Sequence, residues 1–87
     1  MAESSSIRIL PTAHKSLLRA PLILQRRVRA SIGALAADPR GKGVVKLKGR
    51  EGYRLRVGSW RVLFVIDDAT HTVTVTGFGP RRDLYRL

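Results

Sequence analysis

The residues of this 87-residue chain whose types and spacing could do chemistry are arginines, with one tyrosine near the end. Tyr53-Arg54-Leu55-Arg56-Val57 alternates, so an extended strand puts Arg54 and Arg56 on one face and Tyr53, Leu55 and Val57 on the other. Gly58-Ser59 separates this stretch from a second strand pattern that starts at Trp60. A Gly-first two-residue connection favours a type II′ hairpin, which fixes the register. Val57 then pairs with Trp60, Arg56 stands opposite Arg61, and Arg54 stands opposite Leu63. Like charges directly opposite cost some fraction of about 1 kcal/mol, so the fold gains nothing from the Arg56/Arg61 pair. Two readings are open. An anion sits between the guanidinium groups, whose forks suit bidentate phosphate contacts and stay charged at any physiological pH. Alternatively, both side chains splay into water and serve solubility.

The run Gly79-Pro80-Arg81-Arg82-Asp83-Leu84-Tyr85-Arg86-Leu87 follows the third strand pattern of the second half. If that strand runs antiparallel to the central one, its end returns to Arg61, and Arg81 and Tyr85 can converge on the cationic face. Arginines nearby stabilise a tyrosine phenolate and lower its pKa from about 10, which makes Tyr85 a candidate proton acceptor. It could equally stack on a base, or simply anchor the C-terminus to the sheet. Lys46 and Lys48 precede the hairpin and read either as phosphate-backbone contacts or as a charged strand edge that discourages aggregation. Arg26, Arg27 and Arg29 read as a solvated helix face that could also track an RNA backbone. Glu51, the acidic residue near the cleft, is a partner for a neighbouring arginine or a general base. Asp67 and Asp68 read as turn formers, and Trp60 as core.

Composition agrees with a polyanionic partner, since 17 Lys+Arg against 6 Asp+Glu leave a formal charge of +11. No apolar run approaches the roughly 18 residues of a membrane span, and Met1 to Ser6 lacks a signal peptide's basic start and apolar core. The absence of cysteine excludes disulfides and cysteine-ligated zinc and fits a cytoplasmic protein. Two histidines are too few for a histidine-rich site. No metal, cofactor, membrane or small-molecule ligand is expected.

These residues must be positioned by a small α+β domain. Residues 1–87 read as one domain with 1–6 frayed. Ile7 to Leu10 is a short strand ended by Pro11, and Thr12 caps a first helix that runs to about Ala20. Pro21 opens a second, so that the two form a helical hairpin, and Leu24, Val28, Ile32 and Leu35 make one apolar stripe along it. The helix ends at Asp38-Pro39, followed by a basic, flexible loop, Arg40-Gly41-Lys42-Gly43. The second half alternates and reads as a three-stranded antiparallel meander forming one small twisted sheet. Trp60 to Ile66 is its central strand, and Thr72 to Phe78 its last.

Taken in order, Asp38-Pro39-Arg40, Lys46-Leu47-Lys48-Gly49, Tyr53-Arg54-Leu55-Arg56-Val57-Gly58, Trp60-Arg61-Val62-Leu63-Phe64, Ile66-Asp67-Asp68 and Gly79-Pro80-Arg81-Arg82-Asp83-Leu84-Tyr85 resemble the RelE/ParE toxin superfamily over roughly residues 7–87. The resemblance implies a RelE-like fold and a cognate antitoxin as inhibitory partner, with operator DNA reached only through that antitoxin. In the RelE-like branch it implies an mRNA interferase, a metal-independent endoribonuclease that cuts mRNA in the ribosomal A site. By the same resemblance Arg61 and Arg81 are the phosphate-side arginines and Tyr85 the catalytic tyrosine, with Arg54, Arg56, Lys46, Lys48 and Arg82 holding RNA phosphates. Arg54 and Arg56 stand where a well-known form of the family has lysine, and Pro80 where many relatives have histidine. Arginine holds phosphate but cannot act as a general base. The alternatives are therefore a ParE-like DNA gyrase inhibitor and a non-catalytic homologue that joins its antitoxin at the operator.

Overall fold

A computed structural model describes residues 4–80, in the order β1 (Ser6–Ile9), α1 (Pro11–Leu18), α2 (Leu22–Ala37), β2 (Val44–Lys46), β3 (Tyr53–Val57), β4 (Trp60–Asp67) and β5 (Thr72–Pro80). The α+β class and the β3–β4–β5 antiparallel meander are as expected, but the sheet has five strands in the order β1-β5-β4-β3-β2. β1 joins one edge, parallel to β5, and β2 joins the other, antiparallel to β3. Neither pairing is written in local alternation: β2 is only three residues long, and β1 meets β5 some 66 positions along the chain, Ser6 facing Thr72.

Ser5 and Ser6, read as part of a frayed segment, are held by the backbone. Ser6 is already in β1, and the Ser5 and Ser6 backbone N–H groups donate to the carbonyls of Ala36 at 2.6 Å and His71 at 2.7 Å. Helix α1 begins two residues earlier than a Thr12 cap would allow. Leu10 is its N-cap and Pro11 occupies the first turn, where a missing N–H costs nothing and the fixed φ is already helical. Thr12 instead accepts, through its carbonyl, a hydrogen bond from Ser16 Oγ at 3.2 Å. At the α1–α2 junction the Gln25 side-chain amide donates to the Ala20 carbonyl at 2.8 Å and the Leu18 carbonyl at 3.3 Å, satisfying groups that Pro21 leaves without helical partners. Helix α2 stops at Ala37, and Asp38 before Pro39 is extended, with φ −149° and ψ 90°. No described helix is long and apolar enough to cross a membrane.

Both helices lie on one face of the sheet. Val28, Ile32 and Leu35 of α2 and Ala13 and Leu17 of α1 pack with Val57, Val62, Phe64, Val73, Val75 and Phe78, all buried. Trp60 is part of this packing, its ring 4.8 Å from that of Phe78, as the core reading required. A β-bulge decides which β5 residues reach this face. Leu63 pairs with Gly77 but Phe64 pairs with Val75, so Thr76 is an extra residue on β5. The insertion shifts the period-2 alternation by one, bringing Phe78 onto the core face with Val73 and Val75. It also leaves Gly77 and Gly79, which carry no side chains, beside Leu63 and Arg61 on the open face.

Two further segments are pinned rather than loose. The loop after α2 was expected to be flexible, yet Arg40 forms a bidentate pair with Asp68, at 2.8 and 2.9 Å. Arg40 Nε also donates to the Tyr53 hydroxyl at 3.3 Å, and its guanidinium lies 5.5 Å from the centre of the Tyr53 ring. The ion pair holds the Asp68 carboxyl below its ordinary value, chiefly through the Arg40 hydrogen bonds, and raises Arg40 in return. Of the two aspartates read as turn formers only Asp67 does that job, accepting from the Ala69 and Thr70 N–H groups at 3.0 and 3.2 Å.

Candidate nucleic-acid interface

The hairpin register is the one that Gly58-Ser59 dictates. Val57 pairs with Trp60, Arg56 with Arg61, Leu55 with Val62, Arg54 with Leu63 and Tyr53 with Phe64. Gly58 has φ +60°, and among the described residues the only non-glycine at positive φ is His71, so Ser59 is not. Positive φ at the first turn residue alone is the II′ pattern. Arg54, Arg56 and Arg61 therefore share the face that the helices leave open.

On that face lies a groove of about 450 Å³ lined by Val45, Lys46, Leu47, Lys48, Arg50, Arg54 and Arg61. Five of its seven lining residues are cationic and none is acidic, so the potential inside it favours an anion. Arg54 and Arg61 are half-buried, whereas Lys46 at the end of β2 and Lys48 and Arg50 in the segment after it stand exposed. The apolar part of the lining is Val45 and the buried Leu47, and Leu63, also buried, is the cross-strand partner of Arg54; neither leucine belongs to the main core cluster. Half-burial of a guanidinium against such a lining strips it of some water and strengthens its attraction for phosphate relative to a fully solvated side chain.

The site residues expected from the sequence divide three ways. Lys46, Lys48, Arg54 and Arg61 converge on this groove. Arg56 does not line it. Its Nε donates to the Gly58 carbonyl at 3.1 Å, which draws the charge toward the hairpin tip and relieves its repulsion with Arg61. Arg81, Arg82 and Tyr85 lie outside the described residues. The segment that carries them departs from Pro80, which pairs with Trp60, while Gly79 pairs with Arg61. Glu51 lines a separate groove of about 360 Å³ with Lys46, Arg50, Gly52, Tyr53 and Ile66, away from Arg54 and Arg61. That placement does not suit a base acting at Arg61, and it sets Glu51 beside its neighbour Arg50.

Arg50 is the residue that the sequence reading missed. Its signal was the continuation of Lys46-Leu47-Lys48 beyond Gly49, where a basic run crosses a turn and returns to the same side. The turn is tight because Gly49 and Gly52 take φ +71° and +118°, and the Leu47 N–H donates to the Gly52 carbonyl at 3.0 Å. Among the described residues, no group of three or more His, Cys, Asp and Glu side chains is arranged to hold a metal ion.

No protein-family model matches the chain, and no curated protein sequence does. Solved structures do. The toxin–antitoxin complex RelBE2 from Mycobacterium tuberculosis contains a chain 25% identical to this one, with TM-score 0.79, over 90% of this chain and 99% of that one. The archaeal RelE–RelB complex from Pyrococcus horikoshii OT3 matches at 26% identity and TM-score 0.79, over 97% and 99%. The intact RelBE toxin–antitoxin complex of E. coli matches at 18% identity and TM-score 0.79, over 88% and 96%. At TM-score 0.79 and nearly full coverage of both chains, the fold coincides with that of chains in RelE–RelB complexes, which supports assignment of this chain to the RelE-like toxin superfamily.

Proposed function

We propose that the chain is the toxin of a type II toxin–antitoxin system and acts in the cytoplasm as a ribosome-dependent endoribonuclease on mRNA in the A site. The observation that carries this reading is the groove in which Arg54 and Arg61 meet Lys46 and Lys48 on the open face. A cationic channel of this kind tracks a nucleic-acid backbone. The likeness to RelE chains in complexes with RelB supports a cognate antitoxin as the inhibitory partner. Such an antitoxin would offset the +11 charge with acidic residues.

Cleavage without a metal uses the ribose 2′-OH as nucleophile on the adjacent phosphate, with departure of the 5′-oxygen. The protein must orient the two and neutralise the charge that develops on the phosphorane. Arg61 is the central neutralising group, and β5 delivers the chain to its side at Gly79. Arg81 would add a second positive charge, and Tyr85 would take the 2′-OH proton. Arg54 holds a neighbouring phosphate. Arg56 and Arg82 add flanking contacts, Arg56 once it leaves the Gly58 carbonyl.

A translation extract programmed with a defined message tests the proposal. Cuts at codon-spaced positions that depend on ribosomes, and that disappear with Arg61→Ala, are the expected result. An intact message accompanied by stalled gyrase would replace the reading with the gyrase inhibitor. Neither effect would leave a non-catalytic binding protein.

A further inference from the structure

We infer that the β2 edge of the groove is a subsite for one flanking nucleotide of single-stranded RNA, its phosphate held by Lys48 and Arg50 and its base laid on Val45 and Leu47. This subsite rests on reading the open face as an RNA-directed surface, and it extends that surface beyond Arg61. Arg61 is on β4 and the subsite begins at β2, two strands away. With neighbouring strands about 4.8 Å apart, the backbone offset is roughly 10 Å, which leaves room in the groove for a second phosphate beside the one at Arg61. The outer cations are assigned to that second phosphate.

The lining specifies a nucleotide rather than a bare anion. Val45 stands opposite Arg54 on the open face and is 45% exposed, while Leu47 lies beside it almost buried. Val45 exposes an apolar side chain, backed by the buried Leu47, beneath a rim of cations, so that an apolar contact and a phosphate clamp lie together, the two halves of a nucleotide. The clamp is also preorganised. A Cβ at Gly52 would come within 3.0 Å of the Phe64 carbonyl, so the Gly52 end of the turn is packed on β4 and limits how far the backbone at Arg50 can shift. Little ordering is then lost on binding. Arg50 lines both this groove and the one beside it, so it marks the ridge over which the strand leaves the sheet.

The test is fluorescence anisotropy on the whole chain with a labelled single-stranded RNA hexanucleotide, in a salt series, alongside versions carrying an abasic nucleotide at each position. Arg50→Ala should flatten the slope of log K against log salt by about 0.7, one single-strand phosphate contact, and Arg50→Lys should retain it. Wild type should bind one abasic version more weakly than the parent, and Val45→Ser should lose that discrimination. Unchanged slope in Arg50→Ala, or a duplex of the same sequence bound as tightly as the single strand, overturns the subsite. An intact Arg50 effect on RNA binding with an uncut message in the translation extract would support the subsite and sink the cleavage reading. Codon-spaced cutting with no Arg50 effect would do the reverse.

Discussion

The two faces of the β3–β4 ladder are made from the same thirteen or so residues and have opposite fates. On the helix side Val57, Val62 and Phe64 are 5% exposed or less, with Leu55 and Trp60 packed against them. On the open side Arg54, Arg56 and Arg61 keep contact with water, and Leu63 lies under them as the buried exception. Because side chains alternate strictly, one stretch of chain can be written for packing and for chemistry independently. The same alternation makes register critical, since a slip of one residue would bury the arginines and expose the core. Two backbone features hold it: the Gly58-Ser59 turn at one end of β4, and the Thr76 bulge that resets β5.

If the faces are separable, substitutions on them should fail in different assays. Phe64→Ala, at a side chain 1% exposed, should cost about 3–5 kcal/mol, a large share of the stability of a domain this size. Thermal denaturation would report it, and any loss of activity should follow the unfolded fraction. Arg61→Ala should do the opposite, lowering message cleavage by about a hundredfold to a thousandfold, as loss of one preorganised charge-stabilising group does, at unchanged melting temperature. A matching drop in stability would mean that Arg61 is structural and that the faces are not independent.

Gly52→Ala sharpens the comparison because it acts on the seam between the faces. At φ +118°, with the new Cβ 3.0 Å from the Phe64 carbonyl, it should cost about 1–3 kcal/mol and also displace Arg50. Both a lower melting temperature and weaker RNA binding are expected. The smallest effect belongs to the Arg40–Asp68 pair, which is exposed and solvent-screened. The Asp68 carboxyl is held below its ordinary 3.8 by Arg40, so its contribution is present above that value and disappears as pH falls through the lowered one. The melting temperatures of wild type and Asp68→Asn should differ slightly near neutral pH and coincide in strong acid.

How much of this was legible in the sequence follows from the range of each interaction. The hairpin register was readable to the residue, because Gly58-Ser59 and the Tyr53 to Val57 alternation are adjacent. The stripe on α2 was readable for the same reason. The parallel β1–β5 pairing and the Arg40–Asp68 contact across 28 positions were not, since nothing local marks a partner so far away, and β2, near its partner β3, was missed because three residues are too few to show an alternation. The bulge lay in between: the break of Val-Thr alternation at Thr76-Gly77 is visible, but which face Phe78 takes depends on its pairing with Val62. For the candidate site, Lys46, Lys48, Arg54 and Arg61 were readable from the basic residues around one turn. Arg50 was not, because its place depends on how Gly49 and Gly52 fold that segment back.

The central claim is that the open face turns an RNA's own 2′-OH against its backbone. Its most direct test programs ribosomes with two messages identical except for a single 2′-deoxy nucleotide at the cut position, and follows cleavage by primer extension. The all-ribose message should be cut and the deoxy-substituted one should remain whole. Equal cutting of both would contradict the account, because the nucleophile would then have to come from somewhere other than the substrate.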